Sequence, residues 1–306
     1  MINVAITTYP TIQLPSGNIF LISAFYLAGL TYFLGVIFYA LPIPVEGVKQ
    51  WAPKLIKDAI YVLVWISIYQ YVIDIARGVL DLTGYSWNGY FIFLTGFTAL
   101  TSFLYTVLVI IKVAPQIIIS ILTSIFVPAQ APSVLSKITS IFNFFYGGGL
   151  LTNEINNLQI ILLSLYSIMI LSDLIFYGLY WLISFGIFLM SLPFRIGRHV
   201  GATVISATLV FYVGLPPMQY FINQVLTNGL GQFGISVGIT TLAGISAGIT
   251  DPVSIGITLL FIIPIMYESF VVVPLAYIIT LSVISIGLGD IIAETAGQFP
   301  FPIKIF

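Results

Sequence analysis

Apolar residues in this chain come in runs of about twenty, the length a helix needs to cross a ~30 Å hydrocarbon core at 1.5 Å per residue. The short periods that mark a water-facing helix or a half-buried strand are largely missing. The long runs fall roughly at 18–41, 58–80, 89–111, 158–192, 200–226 and 253–289, and a shorter one lies at 113–127. Prolines punctuate them: Pro42 and Pro44 close the first, Pro128 and Pro132 follow the short piece, Pro216 and Pro217 interrupt the run from 200, and Pro264 and Pro274 break the last. The short piece fits either a re-entrant segment or a crossing through a thinned bilayer. The run at 158–192 has the opposite problem, since it would reach roughly 50 Å as one helix. Either that helix protrudes, or two pieces meet near Ser172 and Asp173.

Two stretches carry other patterns. Residues 133–146 place Val134, Leu135, Ile138, Ile141, Phe142 and Phe145 at helical spacing, with Ser136, Lys137, Thr139, Ser140 and Asn143 between them. This predicts an amphipathic helix that lies in the membrane interface or packs on a partner subunit. Residues 227–250 are uncharged and glycine-rich, and Gly234/Gly238 and Gly244/Gly248 form small-xxx-small pairs that let helices approach closely. An apolar glycine-rich hairpin suits them better than a linker. The pattern as a whole predicts an all-α, polytopic helical membrane protein: one integral membrane domain over 1–306, with about seven transmembrane helices.

Composition strengthens this reading. The 306 residues are 59% hydrophobic and only 6% charged, where soluble domains carry roughly 25% charged residues. Too little charge is present to coat a water-facing surface. A transmembrane β-barrel would show alternating segments of about ten residues, and none appear. With nine Lys and Arg against ten Asp and Glu, the net charge of −1 excludes a broad basic surface for nucleic acid and leaves a local patch at most. Zero cysteines exclude disulfides, thiolate nucleophiles and cysteine-ligated metals. Residues 1–17 hold no Lys or Arg, so the first run reads as a span rather than a signal peptide.

Charge placement sets orientation. Lys49, Lys54 and Lys57, with Glu46 and Asp58, follow the first span; the positive-inside rule makes this side cytoplasmic and puts the N-terminus outside. The far end of the second span carries Asp74, Arg77 and Asp81 on one helix face. They read as a self-neutralised cluster at the membrane edge, with a ligand or ion contact as the alternative. Tyr85, Trp87 and Tyr90 fit an interfacial aromatic belt, and Lys112 marks the return inside.

Candidate chemistry is sparse. No G-x-x-x-x-G-K-[ST] loop is present, a single histidine excludes H-E-x-x-H zinc chemistry, and a Ser-His-Asp triad would have to use His199. No catalytic residue, cofactor site or metal site is expected. Gly287-Leu288-Gly289-Asp290 matches the G-x-G-D string of intramembrane aspartyl proteases, with Asp173 as the second aspartate, but Pro274-Leu275-Ala276 stands in the wrong place and order. A secondary transporter of a small solute is a further alternative; Pro264 and Pro274 suit broken helices, yet no internal repeat pairs the two halves. Asp173 and Glu268 are the clearest intramembrane carboxylates. Each costs about 2.5–3.5 kcal/mol in lipid, so each lines a polar path or bonds a neighbouring helix.

The densest basic stretch is Arg195, Arg198 and His199, between Gly197 and Gly201. These are candidate contacts for phosphate or a partner surface, or they serve to hold this turn on the cytoplasmic side. Around them Pro193, Arg195, Arg198, Gly201, Phe211, Tyr212, Leu215 and Pro216 form a pattern. It resembles the polytopic inner-membrane component of type IV secretion machines, the TrbL-like family, and more closely the membrane component of the archaeal DNA-import system. The resemblance implies a passive DNA-conducting channel subunit in the cytoplasmic membrane. It would work beside a hexameric ATPase and small pilin-like membrane subunits, with DNA in transit and membrane lipids as further partners. It also implies a homo-oligomer whose cytoplasmic mouth is lined or flanked by Arg195, Arg198 and His199.

Overall fold

The computed structural model describes residues 18–40, 46–125, 150–193, 197–231 and 261–295. Among these there is no strand. The helices are α1 (Asn18–Ala40), α2 (Glu46–Leu82), α3 (Trp87–Ile125), α4 (Leu150–Met190), α5 (Arg198–Gly214), α6 (Met218–Gly231), α7 (Ile263–Tyr267), a π turn (Glu268–Val272) and α8 (Val273–Thr295). Among the described residues, five stretches are long and apolar enough to cross a membrane, and α5 with α6 makes a sixth if the pair is one span. The all-helical expectation is met, and the chain is a membrane protein.

The long apolar run at 158–192 is one helix, not two. It belongs to α4, whose 41 residues reach about 61 Å. Ser172 is fully buried within it, so the polar pair at Ser172–Asp173 marks no break. The chain also stays helical through Lys112, where a boundary was expected, and α3 continues to Ile125. A lone lysine is a good helix former with a long apolar stem; it marks orientation, not a helix end. The interfacial helix expected at 133–146 and Gly234, Gly238, Gly244 and Gly248 lie outside the described residues.

The chain forms two compact units. The first comprises Met1–Gly84, Ser172–Gly214 and Thr280–Phe306. Small residues set its seams, as close helix approach in a membrane requires. Ala24 and Ala28 of α1 and Ala52 and Ala59 of α2 are all buried. A Cβ on Gly35 of α1 would sit 3.2 Å from the Ala52 carbonyl of α2. Between α4 and α5, a Cβ on Gly186 would lie 2.9 Å from the Gly201 oxygen, and one on Gly201 would lie 2.8 Å from the Met190 nitrogen. Ser206 of α5 donates to the Ser285 carbonyl of α8 at 2.7 Å. Phe20 meets Trp181 and Phe185 edge-on.

The second unit comprises Tyr85–Leu171 and Leu215–Ile279. Its core holds Leu158, Ile161 and Leu165 of α4, with Phe97 and Phe270 at 4.6 Å between ring centroids. Neither late proline stops the helix. Pro264 stands in helical backbone that already includes residues 261 and 262, and the helix runs on past it. Pro274 follows the π turn and leaves the Phe270 carbonyl without its i+4 donor. The hydroxyl of Ser164 on α4 bonds that carbonyl at 2.8 Å. One side-chain bond from a neighbouring helix thus replaces what the proline removes.

Candidate functional site at the basic turn

The turn between α4 and α5 is built by close approach. After Met190 the backbone tightens, with Ser191 N–H donating to the Ile187 and Phe188 carbonyls and Leu192 N–H to the Leu189 carbonyl. Gly197 then packs so tightly on the Leu189 carbonyl that a Cβ there would also meet Leu192 Cδ1 at 2.9 Å. A larger residue would push the start of α5 away. This seats Arg198, the first residue of α5, against α2 and the last turn of α8.

Arg198 is 5% exposed. Its Nη1 lies 3.1 Å from Oδ1 of Asp58, and the two side chains are 7% and 15% exposed. Its Nη2 donates to the Ala293 carbonyl, and its guanidinium stands 5.5 Å from the centre of the Tyr61 ring. Tyr61 in turn donates its hydroxyl to the Ile292 carbonyl at 2.7 Å. Ile292 and Ala293 belong to the last described turn of α8. A buried cation and a phenol from two other elements bond their carbonyls. A cavity of about 10 Å³, of the size one water needs, lies beside the node and is lined by Thr31, Asp58, Tyr61, Ser191 and Arg198 among others.

This geometry gives Arg198 an internal task. Asp58 and the Ala293 carbonyl take bonds from Nη1 and Nη2 and Tyr61 stands beside the guanidinium, so Arg198 joins α2, α5 and α8. Breaking one partner of such a buried pair costs about 3–5 kcal/mol. His199, next in line, is exposed, and its carbonyl accepts a bond from Thr203 Oγ1 at 2.8 Å. Arg195 lies outside the described residues. Sequence reasoning grouped Asp58 with the lysines as a topology signal. The missed clue is that a carboxylate bordering an uncharged run from 59 to 73 needs a partner in the fold.

The other expected site residues are dispersed. Asp173 is half-buried on α4, and Glu268 is exposed on the π turn. Asp290 is exposed too, and the glycine before it has a packing reason: a Cβ on Gly289 would stand 3.0 Å from the Thr203 Cα of α5. At the far end of α2, Arg77 is 3.9 Å from Asp74, but its close partner is Tyr180 of α4, whose hydroxyl accepts from Nη2 at 2.5 Å.

Comparison with known proteins bears on the whole chain. A family model described as "DNA import protein CedA1" matches residues 11–81, the stretch that holds α1 and most of α2 and includes Asp58 and Tyr61. The curated protein "DNA import protein CedA" of Sulfolobus acidocaldarius is 32% identical over 284 residues, which is 92% of this chain and 95% of that protein. No solved structure matches. On this likeness over most of its length, the chain belongs to the CedA family of DNA import proteins.

Proposed function

We propose that this chain is a multi-pass subunit of a DNA-import machine in the cytoplasmic membrane, a passive part of the conduit rather than an enzyme. The observation that carries the reading is the near full-length similarity to a relative named for DNA import, in a chain whose helices are long and apolar enough to cross a bilayer. The machine is of the type IV secretion kind, resembling the TrbL-like systems. Without a P-loop in its sequence, the chain draws its driving force from a partner, a hexameric ATPase, and it works beside small pilin-like membrane subunits.

Several copies act together. Each chain has only nine cations, and neutralising a stretch of phosphate backbone takes many contacts, so the binding surface comes from an oligomer. Gly234, Gly238, Gly244 and Gly248 serve its helix packing. Arg195 and the exposed His199 are the contacts for phosphate or a docking partner at the cytoplasmic mouth, with Arg198 holding the turn behind them. Asp173 and Glu268 supply polar groups along the path.

DNA exchange between genetically marked cells tests this. A deletion strain is expected to lose exchange, and the wild-type gene to restore it. An Arg195→Ala/His199→Ala variant that inserts normally is expected to restore only part. Full exchange in the deletion strain would remove the DNA-import reading.

A further inference from the structure

Arg77 is the only Lys or Arg between Lys57 and Lys112. It stands nineteen residues after Asp58 on the same helix, about 28 Å along α2. The stretch between, 59–73, has no charged side chain. That distance is close to the ~30 Å thickness of a hydrocarbon core. With Asp58 and Arg198 at one boundary, beside Lys54 and Lys57, Arg77 reaches the opposite boundary, at headgroup depth. A cation there runs against the positive-inside bias, and the carboxylates nearest it in sequence are Asp74 and Asp81.

The Arg77 side chain is held by Tyr180 of α4. Its Nη2 bonds the Tyr180 hydroxyl, and its guanidinium packs 5.2 Å from the centre of the Tyr180 ring. Tyr180 accepts from Arg77, so its own O–H remains a donor. Unlike Arg198, Arg77 keeps 44% of its side chain exposed. Asp74, 3.9 Å away and 57% exposed, opposes an anion; its Oδ1 also takes a 3.3 Å bond from Gln70 Nε2.

We propose that Arg77 and Tyr180 form a binding site for the phosphate of a bilayer lipid headgroup at the membrane boundary opposite Arg198. The guanidinium supplies charge and the Tyr180 phenol supplies a donor to the phosphate oxygens. Asp74 competes with the lipid for the guanidinium and sets how tightly it is held. This inference does not depend on the conduit reading.

The test uses the full chain purified in detergent, stripped of lipid and titrated with dioleoyl phosphatidylglycerol, with bound lipids counted by native mass spectrometry. One phosphatidylglycerol is expected to stay bound to the wild type at low lipid. Arg77→Gln is expected to weaken it by roughly tenfold or more, the range of a hydrogen bond to a charged group. Tyr180→Phe, which keeps the ring and loses the hydroxyl, weakens it by a smaller factor. Asp74→Asn tightens it, a gain that a folding defect cannot imitate. Equal binding by wild type and Arg77→Gln would overturn the proposal. So would equal retention of dioleoyl glycerol, which lacks the phosphate. Displacement of the lipid by millimolar inorganic phosphate would reassign the site to a free anion, and displacement by a single-stranded oligonucleotide would reassign it to nucleic acid.

Discussion

Two arginines of the first unit meet the same pair of residue types, an aspartate and a tyrosine ring, and end in different states. Arg198 sits 3.1 Å from Asp58, with both side chains nearly covered, and its guanidinium is 5.5 Å from the centre of the Tyr61 ring. Arg77 sits 3.9 Å from Asp74, with 44% and 57% of the side chains exposed, and 5.2 Å from the centre of the Tyr180 ring. Residue identity does not separate them; burial does. In the covered pair each charge depends on the other and on the α8 carbonyls around it. In the open pair water or a headgroup can replace either partner.

That contrast can be broken at its strong end first. Arg198→Gln or Asp58→Asn is expected to cost about 3–5 kcal/mol, because either leaves a covered charge without its counterpart. The double variant should recover a large share of the loss, since no lone charge remains buried. Thermal unfolding in detergent reads both, and additive losses in the double variant would mean the pair is not coupled. Next comes the seam that seats Arg198. Gly201→Leu pushes a side chain into Met190 and the Gly186 carbonyl and should cost about 1–3 kcal/mol or more, read by the same melts. Tyr61→Phe keeps the ring beside Arg198 and removes the bond to the Ile292 carbonyl, an expected loss of about 1 kcal/mol. Smallest of all, Arg77→Gln should change unfolding by no more than about 1 kcal/mol, as exposed pairs do. A large loss there would erase the distinction between the two arginines.

What the sequence made legible follows from the range over which each signal acts. The apolar runs that became α1, α2 and α4 are local facts about lipid and length, and they can be read directly. The pair of Asp58 and Arg198 joins positions 140 residues apart, and no local spacing records it. Asp74 and Arg77, three apart on one helix, were legible for the opposite reason, yet the stronger contact of Arg77 comes from Tyr180 on another helix. Pro264 and Pro274 announced breaks that do not occur. One proline sits where helical backbone continues on both sides of it, and the other is relieved by Ser164 from outside the helix. Among the described residues, five helices, or six with the bent pair, have the length and apolarity to cross a membrane.

The π turn at Glu268–Val272 also acts as a phase shifter. Each residue of an α-helix advances the side-chain direction by about 100°, and a wider turn holds more residues for the same progress along the axis. Deleting one residue inside 268–272 would let the segment close into ordinary α geometry, and because the turn already holds one residue more than an α turn, the flanks would keep nearly the same angular register. Adding a residue there has no wider turn to absorb it and would swing Ile263 and Met266 by about 100° relative to Val273–Ile279. Both are fully buried, so the swing would carry them off the face that holds them inside. An insertion there would act as a rotation and a deletion or a substitution would not, so the kinds of change separate the role of chain count from the role of side-chain chemistry.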